Sequence, residues 1–463
     1  MTTTTISAGQ TSRGIIVGDG DTALVFAGGT AVATSVPSGT LVVQSGGLAS
    51  ATGVTGGFLA VSAGGISVAT SIAGGFEVLL SGGVASATSI SGVDGFQIVR
   101  SGGLAVGTSV TSGFILVNSG GRASGTVALS GGGDFVSGGT ETGATIVLGT
   151  DVLVAGGTAV GSVVDSGGRQ IVQSGGTASA TVVNSGGAVF VDPGGTISGL
   201  TVSSGFVRLA DSGNDVVLAL GSDTVEAGGG SDTVFASGIS ARVDGGAGNL
   251  TFIAGSGSYT VGGGSGTDIL YGGAGNSSLT GGSGKGSVLV AGSGLATLSG
   301  GLGNAALMFG GGGFDSFEGS GGGGDTMVGG VSGNDFDSQS AGALAFGGGA
   351  NSADFFNLDA GGTVVEGGGG DGVELSGGTT TVFCGSGTTL FQVFGGLGGT
   401  STIVGFGAAD HLTLYSAYGT SDSAAALASA THGSFGTRLS LADGTTVTLA
   451  GVASLTDAQV AAG

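Results

Sequence analysis

The stretch GGISVATSIAGGFEVLLSGG, residues 64–83, decides the fold. It opens on a glycine pair, and the equivalent pair of the next repeat begins at Gly82, eighteen residues later. Between the pairs, Ile66, Val68, Thr70 and Ile72 fall on alternate positions, the period-two pattern of a short strand with one face buried. The glycines supply the turns, since tight corners often need φ above zero.

The same ruler extends in both directions. Glycine pairs begin at Gly28, Gly46, Gly64, Gly82, Gly102, Gly120, Gly138, Gly156, Gly175 and Gly194, spaced 18, 18, 18, 20, 18, 18, 18, 19 and 19. Eight residues after each lies an apolar column: Val36, Val54, Ile72, Ile90, Val110, Ala128, Ile146, Val164, Val183 and Val202. A second column sits three residues before the pairs, at Val43, Val61, Leu79, Val99, Val117, Phe135, Leu153, Val172 and Val191. Each repeat is therefore expected to hold two short strands and two glycine turns. One such unit cannot bury its apolar side alone, but coils stacked ~4.8 Å apart share a continuous narrow core. The expectation is an all-β chain, a parallel β-solenoid (β-helix or β-roll) with a small α+β cap at its C-terminal end. Phe58, Phe76, Phe96 and Phe114, each just after a glycine, are expected to stack in the core. Thr34, Thr52, Thr70, Thr88, Thr108, Thr126 and Thr181 recur at one offset and are read as buried or turn-bonded. The competing reading of that rank is a flat carbohydrate- or ice-binding face.

Composition narrows the function. The 463 residues include 113 Gly and 2 Pro, with no collagen-like G-x-y period, and 8 Lys+Arg against 30 Asp+Glu give a net charge of -22. With Lys285 its single lysine, the chain lacks the basic face that nucleic acid requires. One cysteine, Cys384, excludes an intramolecular disulfide framework and reads as a small buried hydrophobe. No apolar run reaches the ~18 residues of a membrane span, and the opening MTTTTISAGQTSRG lacks the basic and apolar regions of a Sec signal. His411 and His432, the two histidines, stand in unlike contexts and are expected to pack at the surface or in the cap.

Residues 1–205, in segments such as VVDSGGRQIVQSGGTASATVVNSGG at 163–187, resemble the AIDA-type repeats of bacterial autotransporter and adhesin passengers. Such passengers carry a signal peptide and a transmembrane barrel, which this chain does not display. Residues 206–400 are richer in glycine and acid, with 13 Asp and 4 Glu against Arg208, Arg242 and Lys285. There GGSGTDILY at 263–271 resembles the calcium-binding nonapeptide of RTX proteins, G-G-x-G-x-D-x-U-x. Glycine turns expose carbonyls while an aspartate adds a hard anionic oxygen, so stacked turns can share Ca²⁺ among six to eight oxygens. Asp215, Asp223, Asp232, Asp268, Asp325 and Asp371 are the candidate ligands, Asp215 with Asp232 coming closest to the separation of one coil. The ladder is broken, because Ser277 and Gly286 stand where the repeats after Asp268 call for Asp. The alternative is a degenerate solenoid whose aspartates only solvate turns.

Residues 401–463 alternate more regularly. Ser421 or Asp422 is expected to cap an Ala-rich helix ending at Gly433, and Asp443-Gly444 to turn a hairpin between Leu439-Leu441 and Val447-Leu449. The order I-x-G-F, D-x-L-x-L and DGT-x-V-x-L-x-G-V resembles the C-terminal region of type I secreted RTX-like proteins, which implies export through this end.

Together these readings give a secreted structural or adhesive protein of the bacterial surface or biofilm matrix. Its expected partner is itself, as a head-to-tail homopolymer. The alternatives are a solitary adhesin that binds cell-surface polysaccharide and, with one lysine and two histidines to furnish a groove, a polysaccharide-modifying enzyme. No catalytic residue is assigned.

Overall fold

The computed structural model describes residues 1–303, 305–415, 423–456 and 458–461. Two compact units divide the chain, Met1–Gly230 and Ser231–Gly463, and each is a parallel β-solenoid.

In the N-terminal unit most coils carry three strands rather than the expected two. A representative coil runs Phe58–Val61, Ile66–Val68 and Ser71–Ile72, and each strand pairs in parallel with its counterparts in neighbouring coils. The corresponding stacks are called sheets A, B and C. The extra strand follows from one residue. Ala69 adopts φ 53°, as do Ala33, Ala51 and Ala87 within a few degrees at the same corner, and the left-handed corner reverses the alternation. Thus Ile66 and Val68 face outward and Ser67 inward, while beyond the corner Thr70 and Ile72 point into the core. The apparent single strand across residues 66–72 is two strands of opposite phase. The last strand of sheet B is Thr196–Ser198, after which coils hold two strands.

The first column is buried throughout, from Val36 to Val202. The second holds except at Phe135, which is 37% exposed, its place taken by Val136. Strand register aligns Val117 with Val136, so an added residue in the glycine run 131–133 moves this strand one step along. The threonine rank from Thr34 to Thr181 is buried, as read. Less expected are Glu77, Gln97, Asp134, Glu141, Asp151 and Gln170, all of them fully buried. Glu77 is completely answered: Ser67 Oγ donates to it at 2.6 Å, Thr70 Oγ1 at 3.1 Å, Thr88 Oγ1 at 2.8 Å and Gln97 Nε2 at 2.8 Å.

The two glycines of each pair act differently. Gly64 takes φ 74°, whereas a Cβ on Gly65 would lie 2.6 Å from the Val43 carbonyl oxygen of the coil below. The first glycine makes the turn and the second permits the coil spacing.

In the C-terminal unit two-stranded coils build one sheet from strands such as Ile269–Tyr271 and Val288–Val290, and another from strands such as Ser277–Thr280 and Ala296–Ser299. Its core accepts larger side chains: Phe317, Phe336 and Phe356 are fully buried and stack at 4.7 Å. Toward the end of the chain, Thr431–Gly433, Gly436–Ser440 and Thr446–Ala450 form an antiparallel meander that joins the stack by parallel pairing with Thr400–Val404. The hairpin turns at Asp443-Gly444, Gly444 having φ 93°. The helix spans Ser423–Ala428 and stops short of Gly433, because Thr431–Gly433 is recruited as a strand. Its expected cap, Ser421 or Asp422, lies outside the described residues.

Candidate functional site

Sheet A of the N-terminal unit presents an apolar outer face. Four of its strands begin at or just after a buried glycine, Gly57, Gly75, Gly95 or Gly113, where the chain packs against the coil below. The residue after that glycine must point outward, and there stand Phe58, Phe76, Phe96 and Phe114. This corrects the expectation of core stacking: Phe58 is 47% exposed and the other three are half-buried. Parallel pairing in register aligns the four, and their rings stack at 5.0, 5.4 and 5.7 Å, with Phe135 edge-on to Phe114 at 5.5 Å. Two residues along each strand lies a second outward column that includes Val78, Ile98, Leu116, Phe135, Ile171 and Phe190. Arg100, Arg169 and Arg208 are the cations on this side, and Arg208 pairs with Glu226 at 3.5 Å.

The predicted metal residues have a different placement. All six are buried. Each lies two positions before an inward apolar residue, as Asp223 before Val225, Asp268 before Leu270 and Asp325 before Met327. The period of two therefore turns the carboxylate into the stack, where backbone amides receive it. Asp223 Oδ1 accepts the Gly205 N–H at 3.1 Å and Oδ2 that of Gly221 at 2.8 Å. Asp268 accepts from Leu250 N at 2.8 Å, Asp325 from Ala306 N at 2.8 Å and Ser320 Oγ at 2.7 Å, and Asp371 from Asp354 N at 3.0 Å. Asp215 falls in the N-terminal unit and Asp232 in the C-terminal one, each also preceding an inward valine, Val217 or Val234.

Sequence reasoning missed Asp354 and Asp410, which bind Asn334 N and Thr389 N, each at 2.9 Å. The D-x-apolar spacing would have found both, because Phe356 and Leu412 follow them. Burial pushes Asp268 and Asp371 above the usual carboxylate range, while backbone N–H groups pull them back. Calcium wants six to eight oxygens, whereas these carboxylates meet amide hydrogens. Among the described residues no group of three or more His, Cys, Asp or Glu gathers to hold a metal.

His411 and His432 stand exposed on separate strands, His432 Nδ1 lying 2.9 Å from Thr437 Oγ1. Cys384 is half-buried rather than buried, and that burial pushes its thiol up, with Glu366 and Asp410 adding to the shift.

The family model described as "Adhesin of bacterial autotransporter system, probable stalk" (AIDA) matches residues 147–205. Among solved structures, the chain is similar to a TibC-catalysed, hyper-glycosylated TibA fragment. Identity is 32%, coverage is 54% of this chain and 91% of that one, and the TM-score is 0.46. No curated protein matches.

Proposed function

We propose that this chain is an extracellular adhesive stalk of the bacterial surface, and that copies associate side by side through the outer face of sheet A in the N-terminal unit. The AIDA-type segment supports the stalk and the location. The exposed aromatic ladder carries the choice of surface. Eleven strands from Thr22–Val25 to Phe206–Leu209 at ~4.8 Å give a strip roughly 50 Å by 13 Å. Paired with a second copy it would remove about 1,300 Å² from water, within the range of specific interfaces. Isolated apolar residues on a surface are ordinary, but here one outward column stays apolar from Leu24 to Phe190 beside the phenylalanine ladder, with Thr22, Thr40, Thr150, Arg169 and Arg208 as the polar members of the strip, and a patch of that extent marks an interaction site. A bound polysaccharide is the weaker reading, because sugars stack on ring faces and here the rings cover one another's faces. The same surface offers no acid–base pair for catalysis.

Sedimentation of the wild type should show concentration-dependent assembly, and Phe76→Glu with Phe96→Glu should leave folded monomers. Assembly that survives both substitutions would refute the choice of face and return the contact to the coil ends. In this reading residues 401–463 carry export. Deleting them should retain the protein inside cells that have a type I exporter, and release of the truncated chain would refute that role.

A further inference from the structure

The interior of the N-terminal unit contains one polar cluster answered by donors and one that is not. Where sheet A contributes a long side chain, the hydroxyl eleven residues later reaches it: Thr88 to Glu77 at 2.8 Å, Thr108 to Gln97 at 2.7 Å and Thr181 to Gln170 at 3.0 Å. Asp151 and Ser162 occupy the same two positions, but Asp is one methylene shorter. Asp151 Oδ1 and Ser162 Oγ are both left without a partner. In the adjacent coil neither oxygen of Asp134 has a donor, and Glu141 meets Thr126 alone, whose N–H lies at 3.4 Å and whose hydroxyl also favours the charged form. Asp134 and Asp151 are register partners on sheet A, and Glu141 enters the same interior from sheet B.

Three carboxyl groups thus share a buried space in two successive coils. Around them stand Ile115 and Gln170 on sheet A, Ala123 and Ala159 on sheet B, and Ser162 and Ile146 on the third side. No Lys, Arg or His faces the cluster, and Arg122 and Arg169 on neighbouring strands are exposed on the outer faces. Gln170 Nε2 gives Asp151 Oδ2 its one donor, at 2.9 Å. Unpaired carboxylates cannot be held in such surroundings, whereas neutral carboxylic acids can, each bringing an O–H donor for a neighbouring oxygen.

We propose that Asp134, Glu141 and Asp151 form a proton-binding site inside the N-terminal solenoid, which closes the surrounding coils in acid and loosens them when the protons leave. Burial is the main cause in all three groups, raising Glu141 to about 8, Asp151 to about 7 and Asp134 well above its ordinary range. The folded state therefore holds more protons than the unfolded chain. Stability is greatest below the unfolded carboxyl range near pH 4 and falls as pH rises toward 8, by up to tenfold in the opening equilibrium per pH unit for each proton.

Hydrogen exchange of the full chain at pH 5.5 and 8.0, corrected for intrinsic rates, tests the site. Protection in Gly132–Ser137 and Thr150–Val154 should fall at least tenfold more at pH 8.0 than in Gly75–Leu79, on the same sheet around the answered Glu77. Asp134→Asn with Glu141→Gln and Asp151→Asn should abolish that difference, and Asp151→Asn alone should lessen it if the triple variant does not fold. An exposed control, Asp94→Asn, should leave the difference intact. Equal protection at both pH values would overturn the proposal, as would a pH response that survives the substitutions. So would a stoichiometric metal ion whose removal loosens the same strands, since a cation and not protons would then neutralise the cluster.

Discussion

Replacing Asp325 by alanine separates the two roles an inward aspartate can play. Its Oδ1 accepts the Ala306 N–H one coil below, and its Oδ2 accepts both the N–H and the hydroxyl of Ser320. All three residues are buried. Truncation leaves two backbone N–H groups without an acceptor, at about 1–3 kcal/mol each, so the C-terminal unit should lose about 4 kcal/mol. The Ser320 hydroxyl adds little, because it is also placed to donate to Gly303 O at 2.8 Å. Asp325→Asn keeps one acceptor oxygen and should lose about half as much. Urea unfolding followed by exchange of Thr326–Val328 gives the measurement, run with calcium and with chelator. The expected loss is the same in both buffers, and wild-type stability does not move with calcium. An alanine variant within 1 kcal/mol of wild type, or a wild type that chelator weakens as much as the substitution does, would refute the backbone role.

Further predictions concern the coils themselves. Gly64→Ala should cost about 1 kcal/mol, the strain of a left-handed alanine, as its closest contact is the movable Ser45 Oγ. Gly65→Ala drives a Cβ against the fixed Val43 carbonyl and should cost about 3 kcal/mol, which paired thermal melts would resolve. Val110→Asp places an unpaired carboxylate in the core and should cost about 4 kcal/mol, whereas Thr111→Asp, exposed one residue on, should stay within about 0.5 kcal/mol. Similar losses at both positions would contradict the assigned phase.

The repeat and its two inward columns were legible because glycine pairs and β-branched residues recur at fixed spacing. The corner at Ala69 was not. An alanine in the left-handed region has the same letter as one in a strand, and a single such corner reverses which residues face in. That reversal explains why Ile66 and Val68 were read on the inner face. A different effect hid Phe58 and its equivalents, because the glycine before each already fills the inward position. The buried carboxyls escaped because Glu77, Asp134 and Asp151 carry the residue types of a surface, and only the strand register places them inside. The aspartates of the C-terminal unit were singled out in the sequence as candidate metal ligands. Their D-x-apolar spacing, read with the strand period, turns the carboxylates inward toward backbone amides.

The parallel pairing has a mechanical consequence. Inter-strand hydrogen bonds run from coil to coil, so a pull along the stack of either unit loads the coil interfaces in series, and the weakest one sets the yield force. Each coil that peels away frees about eighteen residues, or roughly 60 Å of extended chain. A tether of this kind would lengthen in steps under load instead of breaking at once. The glycine spacings of 18 to 20 would set the size of those steps.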